Sequence, residues 1–252
     1  MIGSTKERKS LMLEHTYKKS GTIRIGITQG ESKGISPEII AKTIDAFSED
    51  RTTELHIIAD KNVIIEIRNK SKSNLKHIIF EEPRYKEIPE NISKSKELSC
   101  IYWAVKLCTN YEIDAIVTAP VDKHLIAEKY PDFSGHTGFL KEILNANNVL
   151  MLMTTPSLKV GIMTEHLPLN QVSINISKEK IINSVKLLHD YLIINKQDPS
   201  IGVLALNPHA GDSGLLGTEE LEVIIPAIKE LKDMNISVDG PIPADSAFIS
   251  PI

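Results

Sequence analysis

No stretch of this sequence stays apolar long enough to cross a bilayer, and the first twenty residues are polar and mixed in charge, without the apolar core of a signal peptide. A membrane span and an export signal are therefore not expected. Cysteine is nearly missing. Cys100 and Cys108 are the only two, without Cys-x-x-Cys spacing, so neither a disulfide framework nor a thiolate metal site is expected; buried free thiols in a reducing cytoplasm are. Neither sign of charge dominates, with 29 Lys and Arg against 33 Asp and Glu and a formal net charge of −4. No basic stripe is interleaved with aromatics, which argues against nucleic acid as a partner. Internal repeats and low-complexity tracts are absent as well.

What is present suits a soluble globular chain. With 252 residues, 41% hydrophobic and 25% charged, it can bury the core of one large domain or two modest ones. Short β-rich runs alternate with helical patterns. "TIRIGIT", "ELHIIAD", "DAIVTAP" and "SIGVLAL" read as buried strands. "SPEIIAKTIDAF" reads as a helix with Ser36 as N-cap and Pro37 at N1, and "LSCIYWAVKLCTNY", "KEKIINSVKLLHDYLI" and "TEELEVIIPAIKELKDM" as further helices. "NVLMLMT" and "KVGIMTE", joined by "TPSL", suggest a hairpin, and Glu81–Glu97 reads as an aperiodic loop excursion. The alternation predicts an α/β fold on a largely parallel sheet, with an antiparallel element in a second subdomain.

In such sheets ligands gather outside the carboxyl ends of the strands, so the residues following each apolar run are the ones to inspect. Gly30 to Glu38 is a glycine-bearing turn into a helix; an anion site is possible there, but a plain strand–helix turn is the simpler reading, and no Gly-x-Gly-x-x-Gly is present. His166 follows "KVGIMT" and His209 follows "SIGVLAL", 43 residues apart. That separation fits one crossover and hence neighbouring strands of one sheet, where two imidazoles could share a divalent metal; two ligands alone are too few. His136 and Thr137 offer donors behind Gly135, unless Thr137 is merely a helix cap and His136 solvated. Lys123 is either a phosphate-facing cation or a surface lysine. Asp245 is a general base, a metal-side carboxylate or an Asx-turn residue.

Taken in order, "GITQGESKGISPEII", "IVTAPVDKHLI", "SGHTGFL", "MTEHLPL", "LNPHAGDSGLLGTEE" and "GPIPADSAF" resemble the corresponding blocks of the 4-hydroxythreonine-4-phosphate dehydrogenases, the PdxA family of vitamin B6 synthesis, from about Thr22 onward. The resemblance implies a two-domain fold like that of the isocitrate and isopropylmalate dehydrogenases. It divides the chain into a disordered polar leader (1–21), a first α/β domain (22–130) and a second carrying dimer and metal-site elements (131–252). It also implies NAD- or NADP-dependent oxidation, with decarboxylation, of 4-phosphooxy-L-threonine in a cytoplasmic homodimer. A divalent ion (Zn, Mg or Co) would be held by histidines, of which His166 and His209 match two. His136 and Thr137 match substrate contacts, and Asp245 stands as the catalytic carboxylate. A sister activity on 4-phospho-D-threonate or 4-phospho-D-erythronate is the alternative substrate class. A non-catalytic remnant that binds a phosphorylated ligand is the other alternative.

The chain departs from the family in four ways. Family members continue beyond the "PADSAF" block into a Tyr-His-Asp-Gln-Gly motif bearing a third histidine, whereas this sequence ends at Ile252. The expectation is therefore a C-terminal truncation that leaves the first domain incomplete and the activity impaired. Glu31-Ser32-Lys33 replaces the usual Asp-Pro-Ala, Gly138 stands where a glutamate is common, and the polar leader has no counterpart in the family.

Overall fold

The computed structural model describes residues 21–249, so the leader expected over residues 1–21 lies, apart from Gly21, outside the described residues. The chain forms two compact units, Met1–Ala146 and Asn147–Ile252.

The first unit is built on four parallel strands: β1 (Ile23–Thr28), β2 (Thr53–Ile58), β3 (Ile78–Glu81) and β4 (Ala115–Thr118), in the order β3-β2-β1-β4. Ile25 of β1 lies opposite Leu55 on one side and Ala115 on the other, so β1 is paired along both edges. Helices α1 (Ser36–Ala46) and α2 (Lys61–Lys70) connect β1 to β2 and β2 to β3, and α3 (Lys96–Thr109) leads back to β4. Adjacent side chains of a strand point to opposite faces, and Ile57 and Ile58 show the consequence. Ile57 packs with Ile40, Ile44 and Ile67 of α1 and α2, whereas Ile58 packs with Cys100, Trp103 and Leu107 of α3. Both isoleucines are fully buried. Each contributes about 2 to 3 kcal/mol by leaving water. The adjacent apolar pair at the end of β2 reflects a sheet covered on both faces there, whereas β1 alternates isoleucine with Arg24, Gly26 and Thr28, and β4, expected to be buried, leaves Val117 50% exposed at the sheet edge.

Several expectations are corrected here. α1 begins at Ser36, with Ile35 as its N-cap and no side-chain cap, because the Ser36 hydroxyl instead donates to the Pro120 carbonyl at 2.9 Å. The segment Glu81–Glu97 is ordered into a 3₁₀ turn (Tyr85–Glu87) and a helical turn (Glu90–Ser93), anchored by buried Ile88 and Ile92. α3 starts at Lys96, two residues before the expected helix, because the Ser95 hydroxyl accepts from the Leu98 amide at 3.3 Å. The first unit continues through α4 (Lys123–Ala127) and α5 (His136–Ile143). Phe139 of α5 packs with Tyr130 and Phe133 in an aromatic cluster.

In the second unit β5 (Met151–Thr154) and β6 (Lys159–Ile162) form the expected antiparallel hairpin. After α6 (Lys178–Ile194) come β7 (Ile201–Leu204), α7 (Ile225–Asp233) and β8 (Val238–Ile242). β7 and β8 pair in parallel, and α6 and α7 pack on them through Ile181, Val185, Ile228 and Leu231. The expected helix over Thr218–Met234 is interrupted: Glu220–Ile224 is wound as a π-turn before α7. Pro226 has no amide to donate, which removes one bond of the regular ladder just there.

β6 and β7 are not neighbours in one sheet, contrary to the expectation from the His166–His209 spacing; each belongs to its own two-stranded sheet. A cavity of about 610 Å³ separates them. Its walls are consecutive residues, Lys159 to Gly161 of β6 and Ile201 to Leu204 of β7, with the α6 stripe Val185, Leu188 and Leu192 alongside. A strand face presents only every second residue, so consecutive lining residues mean that the cavity looks onto strand edges.

Candidate functional site

In the first unit the strand order reverses between β1 and β4, the place where open α/β sheets hold ligands. The loop after β1 is drawn tightly onto β4 there. The Glu31 amide (2.8 Å) and the Ser36 hydroxyl (2.9 Å) both donate to the Pro120 carbonyl. This is a strand–helix turn closed by its own contacts.

The chemistry-bearing residues follow β4. Asp122 caps α4 by accepting from the amides of His124 and Leu125, and exposed Lys123 opens the helix. His136 and Thr137 form the first turn of α5. Thr137 is not the cap of that helix; Gly135 holds the cap position at φ 131° without a side-chain bond. Nor is His136 merely solvated. Its ring is partly buried edge-on to Phe133, with Nε2 enclosed and unpartnered. Burial, reinforced by the Lys123 charge, holds its pKa below the ordinary histidine value, so the ring is neutral at pH 7.

In the second unit the two candidate histidines lie in exposed loops past strand ends, and both adopt left-handed backbone: His166 at φ 55° and His209 at φ 50°. His209 belongs to an unusual run in the turn Pro208–Gly214. Ala210 (φ 54°), Gly211 (79°), Asp212 (42°) and Ser213 (56°) share its hand. Each non-glycine residue in that region costs on the order of 1 kcal/mol, and such strain persists only where the surroundings impose it.

Beneath this turn lies Glu220, which sequence reasoning passed over. It is 1% exposed, and its carboxylate accepts from the amides of Leu206 (2.8 Å) and Asn207 (2.7 Å) and from the Asn207 side chain (2.9 Å). Burial pushes its pKa up, but the Asn207 side chain and the backbone amides outweigh it and hold the carboxyl below its ordinary value. A methyl group on Gly211 would sit 2.7 Å from a Glu220 oxygen, so the turn closes only over glycine. The one signal in the sequence was the spacing of Gly211, Gly214 and Gly217 before an acidic helix start.

Asp245 is exposed in the turn after β8, which backbone bonds from Ser246 and Ala247 to the Pro243 carbonyl close without an Asx contact. Among the described residues no group of three His, Cys, Asp or Glu side chains is placed to hold a metal ion. His166 and His209 therefore do not complete a metal centre with the other described residues. The cavity between β6 and β7 is lined by none of His166, His209 and Asp245.

Comparison with known proteins gives this arrangement a family. The family described as "Pyridoxal phosphate biosynthetic protein PdxA" matches residues 33–252. A relative from Vibrio parahaemolyticus, named 4-hydroxythreonine-4-phosphate dehydrogenase, is 33% identical over 89% of this chain and 74% of its own. One of the same name from Aquifex aeolicus is 33% identical over 90% and 76%. Among solved structures, the 4-hydroxythreonine-4-phosphate dehydrogenase of Klebsiella pneumoniae superposes with a TM-score of 0.76 at 24% identity, covering 90% of this chain and 77% of that one. That of Burkholderia phymatum gives 0.74 at 25% identity, covering 90% and 76%. The family match spans the loops that carry His136, His166 and His209, and the chain belongs to the PdxA family of oxidoreductases.

Proposed function

We propose that this chain is a dehydrogenase of 4-hydroxythreonine 4-phosphate, using NAD or NADP as hydride acceptor in the synthesis of pyridoxal phosphate. The observation that carries the reading is the match to relatives of that name at about one-third identity over nine-tenths of the chain. The domain organisation is read as that of the isocitrate and isopropylmalate dehydrogenases, with the boundary expected at residue 130 moved to Ala146, where the first compact unit ends.

His136 and Thr137 are assigned to the substrate. The neutral imidazole and the hydroxyl offer hydrogen bonds without adding charge. Asp245 is assigned as the carboxylate that accepts the hydroxyl proton, a role its exposure leaves open to substrate. His166 and His209 are assigned as metal-side positions on their matching blocks. Two imidazoles fall short of the donors a divalent ion needs, so the described residues support binding and proton transfer but no step through a metal. The nicotinamide, when bound, takes the hydride; the protein orients the carbinol carbon toward it.

A cytoplasmic homodimer is part of the same reading. Two features support the dimer. The loop after His166 exposes Leu169 and Ile174, at 89% and 74%, and the loop after His209 exposes Leu215, at 81%. Apolar side chains displayed this openly support the reading of a surface that a second copy covers.

The test is NAD(P)H formation on adding 4-hydroxythreonine 4-phosphate with zinc, magnesium or cobalt, with 4-phospho-D-threonate and 4-phospho-D-erythronate as separate arms. Turnover of the amino acid phosphate above the two sugar acids is expected. Preference for a sugar acid, or reduction with none of the three, would overturn the assignment.

A further inference from the structure

A phosphorylated amino acid brings at least two oxyanions to its site, and neutral His136 and Thr137 supply no charge to meet either. Lys123 stands beside them. Its ammonium lies across the backbone of Gly135, the residue immediately before His136: a methyl group there would be 3.7 Å from Nζ and 3.9 Å from Cε. Among the described residues no carboxylate pairs with this ammonium. The nearest in sequence, Asp122, is committed to the amides of His124 and Leu125 at 2.8 and 3.3 Å.

We propose that Lys123 is a further substrate-binding residue, its ammonium holding an oxyanion, phosphate or carboxylate, presented beside the His136 imidazole and the Thr137 hydroxyl. The inference rests on the assignment of His136 and Thr137 to substrate.

Three features of the site agree with this. Lys123 follows the carboxyl end of β4, at the strand-order reversal where ligands bind in such sheets. Its charge reaches His136, where it adds to burial in keeping the ring neutral. The pair thus divides the work: the lysine neutralises charge while the imidazole makes a directional hydrogen bond. Gly135 supplies the turn between them, since a side chain there would have to adopt φ 131°.

The experiment uses the whole 252-residue chain and needs no turnover. The ring resonances of His136, assigned through H136Q, are followed by NMR while inorganic phosphate is added, and in a second arm L-threonine, which carries the carboxylate without the phosphate. Saturable movement of the His136 signals by one of the two is expected, and that arm identifies which oxyanion Lys123 holds. K123M should weaken that binding about tenfold or more, the scale of one charge-assisted hydrogen bond. K123R should keep it within a few-fold, and the ligand-free His136 pKa should rise in K123M. Circular dichroism checks that both variants are folded. Equal binding by K123M and the parent, an unchanged His136 pKa, or His136 signals unmoved by both ligands would each overturn the proposal. Should the parent reduce no NAD(P) while K123M still loses the oxyanion, the dehydrogenase assignment fails and this one stands. Should turnover proceed with an unchanged KM in K123M, this one fails alone.

Discussion

A carboxylate shut away from water normally costs stability, yet Glu220 is both buried and held ionised by three hydrogen bonds. Its removal leaves two backbone amides unbonded under a strained turn. Glu220→Ala should therefore cost about 2 to 3 kcal/mol in urea unfolding, more than an exposed glutamate such as Glu222 would. Because its native pKa lies below the ordinary 4.5, its contribution is full above that value and disappears as the pH falls through the native pKa. Stability of the parent should drop on acidification below about 4.5, and Glu220→Gln should flatten that slope. Gly211→Ala tests the same closure from the other side. The methyl group meets Glu220 and the backbone must keep φ 79°, so a loss of more than about 1 kcal/mol is expected. Nothing in the sequence distinguished Glu220 from its neighbour Glu219. An acidic residue at a helix start is commonly a solvated partner of the helix dipole, and only the fold turns it inward.

Among the elements, strand pairing separates the two units. β1 is bonded along both edges and buried between helices, whereas β6 and β7 are each paired on one side and look onto the cavity on the other. Backbone amides with no protein acceptor open to exchange more readily. Hydrogen exchange read by mass spectrometry should show Ile25–Thr28 protected longest, with Lys159–Ile162 and Ile201–Leu204 exchanging faster. Equal protection would mean that the edges are covered in solution. At this scale the sequence was largely legible. Apolar runs located β1, β2, β4 and the hairpin, although only β1 and β2 are buried deeply; Val117 of β4 and Met153 of the hairpin are half exposed. The run that became β3, Ile78–Glu81, was missed: it is short and sits against a polar segment whose order comes from Ile88 and Ile92 packing with α3 residues.

For the whole molecule, the exposed leucines make a falsifiable statement about assembly. Replacing Leu169 and Leu215 by serine removes apolar surface that is 89% and 81% exposed in the single chain. The monomer should lose little stability, since neither side chain packs in its core. Sedimentation velocity should show the dimer dissociating at concentrations where the parent remains paired. A parent that sediments as a monomer at all concentrations would end the dimer reading.

The sequence by itself determined most of the strands and helices, that the fold is α/β, that His166 and His209 fall just past apolar runs, and that His136 follows a glycine. Those properties are local, set by periodicity and by the demand of each apolar face for cover. Only the tertiary structure decided that β6 and β7 stand apart, that Glu220 is buried against Leu206, Asn207 and Gly211 at the base of the His209 turn, and that Lys123 reaches across to Gly135. These depend on contacts between residues distant along the chain. A one-dimensional pattern carries the appetite of each element for burial, but not which partner will satisfy it.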